Sequence, residues 1–173
     1  MASGNSQEII TYKQSTMNAI ASVENIRKGI YAKYENTDQL MEAGDLFYTH
    51  IFPYAYIPNT IDRVGAYITL EISMPSVSTA NYFFKDVLIN ITIICHQDMM
   101  RMTESEPLGS TGATRIDYLS VEIDKLLNKR KGVIGPYALE LVSNVEGAID
   151  IAHRCRVMRF KTTAPVRSLC DDD

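Results

Sequence analysis

Ala66-Tyr67-Ile68-Thr69-Leu70-Glu71-Ile72-Ser73-Met74 is the stretch on which the fold turns. Ala66, Ile68, Leu70, Ile72 and Met74 alternate with Tyr67, Thr69, Glu71 and Ser73. Side chains of a strand alternate between its two faces, so this period predicts a half-buried strand that ends at Pro75. A second strand is predicted over Phe83–Cys95, with Val87, Ile89, Ile91, Ile93 and Cys95 on one face. Its other face mixes Asp86, Asn90 and Thr92 with Leu88 and Ile94, as a central strand with a partly covered outer side would.

Upstream, Ile9, Tyr12, Thr16, Ile20, Val23, Ile26 and Ile30 recur at three- and four-residue steps, which predicts a long amphipathic helix over Ser6–Lys33. Gly29 marks where it ends or bends. A short helix is expected over Asp38–Ala43, capped by Thr37 and stopped by Gly44. Between it and the first strand lies Leu46-Phe47-Tyr48-Thr49-His50-Ile51-Phe52-Pro53-Tyr54-Ala55-Tyr56-Ile57-Pro58. Its prolines cannot donate to a sheet ladder, so the segment reads as extended, lying on the domain or on a neighbour.

Downstream, Arg101–Gly112 reads as a loop. Thr114, followed three residues later by Asp117, opens a helix with Ile116, Leu119, Ile123, Leu126 and Leu127 on its apolar face and Gly132 as its stop. Two last strands are expected, Tyr137–Leu141 and Ile149–Thr162. Together these elements predict one α+β domain over residues 1–163: two layers, a mainly antiparallel sheet of about four strands, and two long helices on one face. Residues 164–173 read as a polar, acidic tail.

The chain has 173 residues, 46% hydrophobic and 22% charged, with a net charge of −4. One core suffices at that size, without disulfides or a structural metal. The acidic balance argues against a protein whose main task is to grip phosphates. Cys95, Cys155 and Cys170 are odd in number and lack a Cys-x-x-Cys pair, which fits a reducing cytoplasm. No signal-peptide pattern and no bilayer-length apolar run is present, so no membrane partner is expected.

Chemistry is sparse. His50, His96 and His153 fall in separate elements without metal-ligand spacing. His96-Gln97-Asp98 is the best acid–base candidate, with loop capping as the ordinary alternative. Gly109-Ser110-Thr111-Gly112 precedes a helix but lacks the phosphate-loop lysine. Arg154 and Arg156 share one face of the last strand, and Arg159 and Lys161 the other; an outward row could meet acidic neighbours or DNA phosphates.

The order of the aromatic piece His50–Pro58, the strand Ala66–Ile72, the strand Val87–His96, the helix opened by Thr114-Arg115-Ile116-Asp117, the strand Leu139-Glu140-Leu141 and the long strand through Arg159-Phe160 resembles the tail-terminator (tail-completion) proteins in the neck of tailed bacteriophages. The resemblance covers Leu46–Thr163. It implies a structural virion protein made in the host cytoplasm, a homo-oligomeric and usually hexameric ring at the head-proximal end of the tail tube. Its partners would be itself, the tail tube protein and the head connector or head-closure protein, with DNA passing through the lumen unread. It implies no cofactor, no metal and no catalytic residue. Phe52, Tyr54, Tyr56, Ile57, Arg154, Arg156, Asp171, Asp172 and Asp173 are the candidate interface residues, although Phe52, Tyr54 and Tyr56 could equally close the domain's own core. A connector adaptor or head-closure protein of the same neck is the nearest alternative. A small enzyme built on His96 and Asp98, or a binding module, would be a different class.

Overall fold

The computed structural model describes residues 5–31, 38–55, 64–75, 84–106, 108–134 and 137–165. Among these residues, three α-helices cover one face of a five-stranded, mostly antiparallel sheet. The helices are α1 (Asn5–Ser22), α2 (Glu24–Ile30) and α3 (Arg115–Leu127). The strands are β1 (Ile51–Phe52), β2 (Ala66–Ser73), β3 (Phe84–His96), β4 (Glu140–Ala148) and β5 (His153–Pro165), in the spatial order β1-β2-β3-β5-β4. The α+β class expected from the alternation is the class observed.

The central pair, β3 and β5, runs antiparallel from Phe84↔Pro165 to His96↔His153. β2 flanks β3, with Ile68 opposite Ile93 and Leu70 opposite Ile91. Ile68, Leu70, Ile89, Ile91, Ile93 and Phe160 are fully buried against Ile20, Ile26, Ile116, Leu119 and Ile123 of the helices. Each such side chain contributes about 1.5–3 kcal/mol by leaving water. Lys85, on the same face of β3 as that core, is also fully buried; its ammonium is ion-paired with Glu8 of α1, which accepts a hydrogen bond from the Tyr12 hydroxyl at 2.8 Å.

Several expected boundaries move, among them the last strand, expected over Ile149–Thr162 and observed over His153–Pro165. The long N-terminal helix breaks at Val23, whose backbone is extended (φ −83°, ψ 113°), and resumes as α2. Gly29 lies inside α2: a Cβ there would stand 2.5 Å from Leu119 Cδ2 and 3.0 Å from Tyr118 Cε1. The glycine therefore lets α2 press on α3, and the helix stops instead at Tyr31, which is left-handed (φ 59°). No helix forms over the described residues 38–43. Gly44 starts a 3-10 turn, Gly44–Leu46, that drops Leu46 into the core, and Thr37 lies outside the described residues.

α3 opens at Thr114 with the expected cap, reciprocal bonds joining Thr114 and Asp117. It ends at Leu127, short of Gly132, because Asn128 turns away: its backbone bridges Leu139 and its Oδ1 accepts from the Leu141 amide at 3.1 Å. The strand expected at Tyr137–Leu141 begins at Glu140 and runs on to Ala148, with a bulge at Val142. The aromatic segment supplies the fifth strand. Ile51 and Phe52 pair in parallel with Ile68 and Thr69, and Pro53 closes the ladder after two residues.

At the start of α3, Arg115 is 4% exposed. Its Nε donates to Met99 O (2.8 Å), Nη1 to Gly29 O (3.2 Å) and Nη2 to Glu106 Oε1 (2.7 Å). One side chain thus joins α2, α3 and the loop after β3.

Candidate functional site

The candidate catalytic groups have structural partners. His96 Nδ1 accepts from the Asp98 amide (3.2 Å), capping the 3-10 turn Gln97–Met99 that follows β3. His153 lies opposite His96 across β3 and β5, with ring centroids 5.1 Å apart, a meeting that their separation in sequence concealed. Asp150 holds His153 Nδ1 at 2.8 Å, and His153 is 1% exposed. His50 stacks on Tyr67 and sits 3.1 Å from Ala66 O; burial holds its pKa below the ordinary imidazole value, against the pull of that carbonyl.

Burial also pushes the Cys95 thiol up to about 12, and raises Cys155 with help from Glu146. Neither is an activated nucleophile. Among the described residues no three His, Cys, Asp or Glu side chains converge as metal ligands, and no helix is long and apolar enough to cross a membrane. At Gly109 a Cβ would stand 1.8 Å from Thr103 O, so this glycine serves the loop's own packing.

The paired arginines behave differently from each other. Both project from the helix-bearing side of β5, opposite Cys95 and Ile93. Arg156 is ion-paired with Asp117 of α3 and with Glu146 (3.1 Å), and donates to Asn144 Oδ1 (3.3 Å). Its charge is engaged within the chain, whereas Arg154 is exposed. On the opposite side, Arg159 bonds Asn90 (3.0 Å) and Lys161 pairs with Asp86 (3.2 Å).

The aromatic segment divides too. Phe52 is 5% exposed and joins Tyr67, Ile94 and Cys155 in a second, smaller cluster on the helix-free face. Tyr54 meets it edge-on at 5.8 Å and stays 46% exposed. Tyr56, Ile57, Asp171, Asp172 and Asp173 lie outside the described residues. Beside β1, a groove of about 400 Å³ opens between α1 and this segment. Met17 forms its floor, Ile10, Tyr48 and Pro53 its rim, and Lys13 stands at its side.

At the other edge of the sheet, no described strand pairs with the outer side of β4. Val142 and Val145 are more than half exposed there, and Ile151, in the turn between β4 and β5, is 92% exposed. Sequence reasoning missed this edge because a strand with solvent on both sides shows no alternation. The isolated Ile151 between Asp150 and Ala152 was the available signal.

A family model described as YomW, from a phage-derived family, matches residues 24–162. No curated protein matches the chain.

Proposed function

The chain belongs to the YomW family, a phage-derived family, and from that premise we propose that it is a structural protein of the phage particle, the ring that ends the tail tube and joins it to the head. The observation that carries this reading is the pair of unlike surfaces at the two edges of the sheet. β4 with its hairpin turn, and the groove beside β1, bound opposite ends of one sheet. A subunit with different unspent surfaces at its two ends is suited to head-to-tail association, which closes into a ring when the rotation permits. The resemblance over Leu46–Thr163 supports the position in the particle. The role asks for no cofactor and no reaction, and the histidines are engaged in caps, stacking and a buried pair.

Electron microscopy of purified protein mixed with tail tubes tests the reading. Rings seated on one end of each tube, together with overlong tubes from a phage lacking the gene, are expected. Tubes of normal length and joined particles without the protein would exclude it. Normal tubes with unjoined heads would move the chain to the connector-adaptor role.

A further inference from the structure

Ile151 is the most exposed large apolar side chain among the described residues, and it is held out by a built turn. Asp150 Oδ1 accepts from the Ala152 and His153 amides (2.7 and 2.8 Å) and contacts His153 Nδ1, which fixes the hairpin tip. Gln97 N–H donates to Ala152 O (2.8 Å), anchoring the tip to the end of β3. The turn holds almost the whole of an aliphatic side chain in water, apolar area that a partner's surface would bury.

The groove beside β1 has the opposite character. Met17 lies at its base, Ile10 is 58% and Tyr48 65% exposed, and Lys13 has no ion-pair partner among the described residues. The tip offers one branched apolar side chain beside a carboxylate whose side chain is 43% exposed; the groove offers an apolar recess beside one ammonium. Gln14 and Asn18 on the same wall can bond the open peptide groups of a turn. With β4 and β1 at opposite ends of a five-stranded sheet, the two features stand roughly 19 Å apart across the strands, too far to meet within one subunit.

We infer that the Asp150–Ile151 hairpin tip of one subunit seats in the α1–β1 groove of a second copy, with Asp150 facing Lys13. The inference rests on the ring reading and gives it a specific contact. Because tip and groove differ, the contact is heterologous and repeats around a closed assembly. A buried apolar anchor with a charge pair at its rim is the usual make-up of an energetic centre.

Two variants test it, Ile151→Asp for the tip and Ile10→Asp with Lys13→Glu for the groove. Each alone is expected to weaken self-association by more than about thirtyfold, the size of a hot-spot loss. Thermal melts matching wild type would show that both fold. Mixed one to one, the intact tip of the groove variant can enter the intact groove of the tip variant, so dimers and nothing larger are expected in sedimentation. An Ile151→Cys, Ile10→Cys double variant on a Cys170→Ser background should form intermolecular disulfides.

Rings from Ile151→Asp equal to wild type would overturn the contact and leave the ring reading standing. A wild type that stays monomeric with and without tail tubes would overturn both. A groove variant that melts early, beside an Ile151→Asp variant that assembles normally, would mean that the chain's own residues fill the groove, and the contact would fall.

Discussion

The start of α3 and the β4–β5 hairpin spend their side chains in opposite ways. At the first, Arg115 and Asp117 reach backbone, carboxylate and guanidinium partners in three other segments, and little is left for solvent or a neighbour. Burial pushes the Glu106 carboxyl up, but the Thr103 amide and Arg115 outweigh it and hold its pKa below the usual carboxylate range. In the hairpin, Val142, Val145 and Ile151 face water and no described strand pairs with the outer side of β4. On the proposed ring reading, the contrast separates what holds the monomer together from what is open to association. A substitution at the first should register in folding, and one at the second in assembly.

The sharpest break in that contrast would come from Arg115→Ala. It strands Glu106 and two backbone carbonyls in a nearly dry site, and a loss of about 3–5 kcal/mol in urea unfolding is expected. A loss below about 1 kcal/mol would show that the junction is wetter, and more like the hairpin, than its geometry implies.

Gly29→Ala asks whether α2 and α3 touch as closely as the 2.5 Å approach to Leu119 indicates. Helix propensity alone favours alanine by about 1 kcal/mol. Overpacking at a buried leucine costs about 1–3 kcal/mol, so a net loss near 1 kcal/mol is expected. A rise in melting temperature would place the helices further apart.

The smallest effect belongs to the exposed edge. Val145→Thr should leave monomer stability within about 0.5 kcal/mol, since the residue is 60% exposed. A larger drop in thermal melts would mean that the β4 edge is already covered in the isolated chain.

Much of the first region was legible in the sequence. Alternation marked β2 and β3, and the Thr114–Asp117 spacing marked the start of α3 to the residue, because those signals are local and repeat. The break at Val23 was not legible, since Val23 continues the apolar stripe and only packing against α3 turns the chain there. Nor could spacing bring Arg156 to Asp117, or His153 to His96; those meetings depend on the β3–β5 register. For the candidate interface, the aromatic segment was visible but its division was not. Only the register opposite Thr69 places Phe52 on the helix-free face, in the second cluster.

The strand order carries a consequence in time. β3 obtains its second neighbour only when β5 exists, and β5 follows the whole of α3 and β4. At synthesis rates of roughly 5–20 residues per second, the isoleucine-rich ladder of β3 waits several seconds with one side open. Pairings between such distant stretches close slowly, so folding of this subunit should be paced by the arrival of its last strand. During that interval α3, already capped, can cover the apolar face of β3 while its edge stays open.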